Sequence, residues 1–147
     1  MINFTINDIV RITGGVLHGE ADGGAPVTGA VIDSRAAGEG IMFCALKGER
    51  VDGHDYIASA FAQGASCALA SRAPEGVPGP VIVVPDVQRA MAVLARETRE
   101  RFPGPVVGVV GSSGKTTTKE MCAAVLSEKY KTLRTEGNLN NELGVPL

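Results

Sequence analysis

The run Gly108-Val109-Val110-Gly111-Ser112-Ser113-Gly114-Lys115-Thr116-Thr117 carries the residue types that hold a phosphoryl group. Several backbone N–H groups must approach a phosphate at once, and side chains in their path obstruct them. Gly111 and Gly114 clear that path and allow the φ values of a tight strand-to-helix turn. A helix opening near Lys115 adds the positive end of its dipole to the anion site. The Lys115 ammonium can then reach the β- and γ-phosphates of a nucleoside triphosphate, and the Thr116 hydroxyl can ligate Mg²⁺. Ser112, Ser113 and Thr117 complete the candidate phosphate-binding set. The common pattern G-x-x-x-x-G-K-[ST] is not met, because its first glycine falls on Val109. The generic spacing fails while the mechanism survives.

Such a loop needs a strand before it and a helix after it. Val106 to Val110 is apolar and β-branched and predicts a buried strand. The segment after Lys115 predicts a helix with Met121, Cys122, Val125 and Leu126 on one side, and Tyr130 to Thr135 predicts a second strand. This β-loop-α-β order opens a parallel-sheet nucleotide-binding domain. Pro103-Gly104-Pro105 separates it from the preceding residues and is the best linker in the chain.

The residues before the linker predict a small mixed α/β unit. Asn7-Asp8 is expected to cap a short helix bearing Ile9, Val10 and Ile12, stopped by Gly14-Gly15. Strands are expected at Val16 to His18, Val27 to Ile32, Ile41 to Leu46, Cys67 to Ala70 and Val81 to Val84. Asp55 is expected to cap a helix with Ile57, Ala58, Phe61 and Ala62 on one face, with Gly64 just past its end. Asp86 caps the clearest helix, in which Val87, Ala90, Met91, Leu94, Ala95, Thr98 and Phe102 follow helical spacing. The Arg-rich remainder, with Glu97 four residues before Arg101, describes a solvated face better than a phosphate site.

Other candidates for chemistry are weaker. Asp33-Ser34-Arg35 ends a strand, where ligand contacts are common, but a local Asp33–Arg35 pair accounts for it equally well. Lys47-Gly48 also follows a strand, and Gly48 admits close backbone approach. Asp52-Gly53-His54-Asp55 reads as a turn and helix start, since His54 has no Ser or Cys partner at suggestive spacing. His18 reads as structural. Asn138, Asn140 and Asn141 follow the second strand expected in the phosphate-loop unit, the edge where parallel sheets bind ligands. They serve turn geometry equally well.

Composition narrows the classes. Among 147 residues, 14 basic against 16 acidic ones leave no basic field for nucleic acid. Cys44, Cys67 and Cys122 lack paired-ligand spacing and read as small buried hydrophobes in a reducing compartment. No signal peptide is visible after Met1, and no apolar run is long enough to span a bilayer. A cytoplasmic chain without membrane insertion is expected.

The phosphate loop, with its unusual spacing, resembles the central-domain loop of the Mur ligases, ATP-dependent enzymes that build the peptide of bacterial cell-wall precursors. Asp33-Ser34-Arg35, Ile41 to Arg50 and Asp52 to Ile57 are similar to the UDP-binding N-terminal domain of that family. Thr116-Thr117-Thr118-Lys119-Glu120-Met121 and Glu136 to Pro146 resemble the branch that joins D-Ala-D-Ala to UDP-N-acetylmuramoyl-tripeptide. They match less well the branch that adds a diamino acid to the UDP-dipeptide. The resemblance implies an α/β chain: a small mixed α/β UDP-binding domain over residues 1–103, then the start of a parallel-sheet P-loop ATPase domain over 104–147, truncated at Leu147.

The chemistry implied by that resemblance runs through an acyl phosphate. ATP phosphorylates the terminal carboxylate of the UDP-linked tripeptide, the amine of D-Ala-D-Ala attacks, and phosphate leaves. Lys115 and Thr116 are the implied catalytic residues, with Thr116 on Mg²⁺. Ser34, Arg35, Lys47, Gly48, Asn138 and Asn141 are implied to contact substrate. Glu136 and Glu142 are less suited to the metal, whose carboxylate lies further along in the family. A monomeric parent, inactive as this piece alone, is the expectation. The competing readings are a ligase of the branch that adds a diamino acid to the UDP-dipeptide and a non-catalytic UDP- or nucleotide-binding module.

Overall fold

The computed structural model describes residues 4–48 and 51–135. The chain divides into two compact units, Met1–Phe102 and Pro103–Pro146, with the division at the Pro-Gly-Pro break.

In the first unit the elements are β1 (Phe4–Thr5), α1 (Ile6–Thr13), β2 (Val16–His18), β3 (Pro26–Val27), β4 (Gly29–Val31) and β5 (Ile41–Cys44). They are followed by α2 (Ile57–Ala62), β6 (Cys67–Ala70), β7 (Val81–Val83) and α3 (Val87–Arg101). Two 3-10 turns, Ser34–Ala36 and Gly53–Tyr56, lie after β4 and before α2. The main sheet has the order β2-β7-β6-β5-β4. Its β4, β5, β6 and β7 run parallel, and β2 closes one edge antiparallel to β7.

Parallel strands need both faces covered, and the side-chain alternation supplies two apolar faces. Met42, Cys44, Cys67, Leu69, Ile82 and Val84 pack with Ile6 and Ile9 of α1 and with Val87, Ala90, Met91 and Leu94 of α3. Phe43, Ala45, Ala68, Ala70 and Val81 pack with Ile57 and Ala60 of α2 on the opposite face. The result is a three-layer α/β/α unit, mixed and mostly parallel, as expected from the sequence. Small residues Ala68 and Ala70 on the second face leave room for the short α2 and its Phe61 ring.

Several local expectations change. The cap of α1 is Thr5, not Asn7 or Asp8. Its hydroxyl accepts from the Asp8 N–H at 3.1 Å, and Asp8 accepts from the Thr5 N–H at 3.1 Å. Asp8 therefore occupies the third position of a capping box. Val27 to Ile32 does not form one strand. Val27 pairs with Phe4 in a separate two-stranded sheet, while Gly29 to Val31 join β5. Between them the Thr28 N–H donates to Gly40 O at 2.7 Å, which turns the chain from one sheet to the other. The α3 helix begins on Asp86, whose side chain accepts from the Arg89 N–H, as its sequence requires. Its solvated face is ion-paired at i, i+4, Arg96 with Glu100 and Arg101 with Glu97. Phe102, expected on the apolar face, is exposed where the helix stops.

In the second unit α4 (Lys115–Ser127) forms as expected. The expected strands do not. Val106 to Val110 and Tyr130 to Thr135 make no ladder, and Val106, Val107 and Val110 are exposed. A strand exists only against a hydrogen-bonded neighbour, and the described residues of this unit contain none. Met121, Val125 and Leu126 are likewise exposed, and Cys122 is exposed, unlike the buried Cys44 and Cys67. Burial pushes both buried thiols up to about 12, so they are inert in the protein's working range.

Among the described residues no helix is long and apolar enough to cross a membrane.

Leu69 is fully buried in the central strand, so its truncation leaves a cavity. Leu69→Ala is expected to lower unfolding free energy by about 2–5 kcal/mol, read from urea denaturation. Val16→Ala, on the exposed edge strand, is expected to change it by less than about 0.5 kcal/mol.

Candidate functional site

The two units each present a site. In the second, Gly114 takes φ +73° and caps α4, a left-handed conformation costly for any residue with a Cβ. A Cβ at Gly114 would meet nothing within 4 Å, so its requirement is conformational rather than steric. The first helix bond runs from the Thr118 N–H to Gly114 O at 2.9 Å. The N–H groups of Lys115, Thr116 and Thr117 therefore have no partner within the helix and point out of its N-terminus.

The Lys115 ammonium arches back to donate to Gly111 O at 2.7 Å, closing the loop around itself. Gly111, Ser112, Ser113, Gly114, Lys115, Thr116 and Thr117 are all exposed, as an incoming polyphosphate requires. A ring of free amides, a cation and a hydroxyl fits a nucleotide phosphate chemically. Among the described residues no cluster of three His, Cys, Asp or Glu side chains could hold a metal unaided. Mg²⁺ at a phosphate loop takes most of its oxygens from phosphates and water, so one Thr116 hydroxyl suits it. Farther along α4, Glu120 pairs with Lys119 at 3.2 Å and with Arg134 at 2.8 Å. Lys119 also donates to Thr135 O. These contacts tie the segment after α4 back to the helix. Asn138 and Asn141 lie outside the described residues, as do Asn140, Glu136 and Glu142.

In the first unit the parallel register sends the ends of β4, β5, β6 and β7 to one edge. Ser34 and Arg35 follow β4, Lys47 and Gly48 follow β5, Ser71 follows β6, and Asp86 follows β7. A cleft of about 260 Å³ opens along this edge, lined in part by Lys47, His54, Ser71, Asp86 and Gln88. Ligands of open parallel sheets bind at this side because the loops there converge.

Of the four substrate candidates in this unit, only Lys47 lines the cleft. Ser34 is buried within its 3-10 turn. Arg35 is paired to Asp33 through contacts of 2.6 to 3.2 Å, the local pair foreseen as the alternative. That guanidinium, with the Arg35 N–H, holds the Asp33 carboxyl down at about 2. The pair is solvent-exposed and is a weak tether. Gly48 donates from its N–H to Val51 O at 2.9 Å, and Lys47 bridges antiparallel to Asp52.

The departure from expectation lies at His54. It is buried, and it does have a serine partner, brought from 17 residues away by β6. Its Nδ1 lies 2.6 Å from Asp52 Oδ1, and its Nε2 lies 3.1 Å from the Ser71 N and 2.9 Å from Ser71 Oγ. Asp52, not Asp55, caps the turn, accepting from the His54 N–H at 3.0 Å. Arg72 donates to the other Asp52 oxygen at 3.1 Å. Gly53 makes this possible, since a Cβ there would sit 2.6 Å from Leu46 O and 2.7 Å from Leu46 N.

These bonds, led by the His54 backbone N–H, hold the Asp52 carboxyl down at about 2, below its ordinary 3.8. Asp8 is held at about 2 as well, by Arg11 first and Thr5 second. A carboxyl whose folded value is depressed stabilises the fold above its unfolded value, and the contribution disappears as pH falls toward the folded one. Stability of the first unit is therefore expected to fall as pH drops from about 4 to about 2. Asp52→Asn is expected to remove part of that slope. Denaturant midpoints across this range check it.

Two family models match the chain. A model described as Mur ligase family, catalytic domain, matches residues 26–99, and one for the Mur ligase middle domain matches residues 109–147. The UDP-N-acetylmuramoyl-tripeptide–D-alanyl-D-alanine ligase of Escherichia coli (strain K12) is 44% identical over 147 residues, 100% of this chain and 32% of that protein. The protein of the same name from Bacillus subtilis (strain 168) is 38% identical, over 100% of this chain and 33% of its own. A crystal structure of MurF from Acinetobacter baumannii superposes with TM-score 0.87 at 38% identity, covering 99% of this chain and 32% of that one. The MurF ligase of Thermotoga maritima, solved in complex with ADP, superposes with TM-score 0.71 at 42% identity over 82% of this chain and 28% of its own. The chain thus spans about a third of the length of these relatives. With the catalytic-domain model alone matching half of its residues, the chain belongs to the Mur ligase family.

Proposed function

We propose that this chain forms the front of an ATP-dependent ligase that joins D-Ala-D-Ala to UDP-N-acetylmuramoyl-tripeptide. The observation that carries the reading is the amide-lined N-terminus of α4, capped by Gly114 at φ +73° beside Lys115 and Thr116. Support for the substrate comes from full-chain likeness to proteins named for that reaction.

In this reading residues 104–147 begin the ATP domain. The N–H groups from Gly111 to Thr117 wrap the phosphates, and Lys115 neutralises charge as the terminal phosphoryl group transfers to a substrate carboxylate. Thr116 holds Mg²⁺, which supplies electrophilic charge to the same phosphates. No side-chain nucleophile is needed, because the carboxylate of the substrate is itself the nucleophile.

Residues 1–103 hold the UDP end of the substrate at the carboxyl edge of the sheet. Lys47 in the cleft faces the diphosphate, and Gly48 permits close approach by the nucleotide. Ser34 and Arg35 stand at the end of the adjoining strand and extend that edge. Asn138 and Asn141 contact the phosphoryl group or substrate carboxylate. UDP-linked precursor and ATP are both solutes of the cytoplasm, where this reading places the protein, as a monomer.

Separate calorimetric titrations of UDP and ATP test the reading. Both are expected to bind, and Lys115→Ala is expected to weaken ATP at least about tenfold, or about 1.4 kcal/mol, with UDP unchanged. The 147-residue polypeptide given UDP-tripeptide, D-Ala-D-Ala and ATP is expected to release no ADP. ATP binding that survives Lys115→Ala unchanged would overturn the phosphate-loop assignment. UDP binding without ATP binding would favour a stand-alone UDP module.

A further inference from the structure

Asp52, His54 and Ser71 stand in the order and at the distances of a nucleophilic triad, 2.6 Å and then 2.9 Å. The hydrogen-bond inventory excludes that use. A neutral imidazole has one acceptor nitrogen with one lone pair. The Ser71 backbone N–H is a donor that cannot reverse, and it points at Nε2 from 3.1 Å. Nε2 therefore carries no proton, and the Ser71 hydroxyl shares the same lone pair as a second donor. The proton of the ring sits on Nδ1 and is donated to Asp52. A general base must take a proton from serine with a lone pair free to receive it, and here the backbone already holds that lone pair.

The same bonds do something else. Asp52 is the residue bridged to Lys47, and the Gly53 N–H donates to Leu46 O at 2.8 Å. The Lys47–Gly48 and Val51–Asp52 segments thus form a short antiparallel pair rising from the end of β5. Its tie to the end of β6 through this histidine is Asp52–His54–Ser71, with the ring buried and Ser71 at the cleft. The charged groups around the ring are Asp52, Arg72 beyond it, and Lys47 and Asp86 along the cleft.

We infer that His54 is a positioning residue, a neutral Nδ1–H imidazole that locks the Lys47–Gly48 segment to β6 and so sets the cleft for the uridine diphosphate end of the substrate. The inference rests on the reading of the carboxyl-edge cleft as the UDP site, and its test separates the two. Removing either end of the tie leaves a buried polar group without its partner, so each end matters by itself.

The tautomer is read first, on the unmodified chain, from two-dimensional ¹H–¹⁵N correlation of the imidazole nitrogens near neutral pH. A protonated Nδ1 and an unprotonated Nε2 are expected. An Nε2–H ring or an imidazolium would overturn the assignment. Two variants then cut opposite ends: His54→Asn keeps a donor for Asp52 and loses the acceptor for Ser71, while His54→Gln keeps an acceptor for Ser71 and loses the donor. Each is expected to speed hydrogen exchange at the Gly48 and Gly53 amides at least about tenfold, with exchange at Leu69 unchanged. Each is also expected to weaken UDP about tenfold or more, with ATP affinity unchanged. Unchanged exchange at Gly48 and Gly53 in folded variants would overturn the tie. Faster exchange with UDP affinity within twofold would overturn its link to the ligand. Failure of the unmodified chain to bind UDP would instead sink the UDP reading, and the tautomer and exchange results would still judge the tie.

Discussion

A parallel sheet is stable only when both its faces are covered, and in the first unit most other features follow from that demand. The β4 to β7 strands are apolar on each side, so α1 and α3 are recruited to one face and α2 to the other. Parallel connections must return each chain to the same starting side. These four strands therefore end at one edge, and the loops that follow β4, β5, β6 and β7 gather there whatever their sequence distance. The cleft is a by-product of covering the sheet.

The second unit obeys a different constraint. Its organising feature is the row of unpaired amides that any helix N-terminus must have. Gly114 in the left-handed region turns the chain so that those amides face outward, and Lys115 folds back over the loop. This local device needs few long-range contacts, which is why it is fully formed although the adjacent valines lie exposed. Packing and the exposure of helix-end amides are thus separate problems in the chain, one solved by burial and the other by backbone geometry.

The two kinds of element differed in how plainly they could be read. The α3 helix was legible because its cap, its apolar stripe and its i, i+4 charge pairs all lie between Asp86 and Arg101. The glycine turn into α4 was legible for the same reason. Val106 to Val110 misled, because β-branched apolar residues report a strand's preference while a strand also requires a neighbour. Val27 to Ile32 misled differently: the Thr28 bond to Gly40 puts Val27 in one sheet and Gly29 to Val31 in the other, and Ile32 already bends away. The cap of α1 is hard to place from sequence because Thr5 and Asp8 act as a pair, each holding the other's backbone N–H.

Sequence by itself determined the elements whose stabilising contacts are near in the chain: the α3 and α4 helices, the glycine turn into α4 and the break at Pro103-Gly104-Pro105. It also carried the family, because the motifs of both units are short and contiguous. Tertiary structure alone decided which side chains share the cleft. Nothing in the spacing of Asp52, His54 and Ser71 announces a hydrogen-bonded chain. Ser71 reaches the ring only because β6 lies beside β5 in register. The sheet likewise set Lys47 in the cleft and left Arg35 with Asp33. The physical reason is the range of the interactions. Caps, turns and helical stripes are fixed by bonds across a few residues, while the partners of a side chain at a sheet edge are fixed by which strands pair.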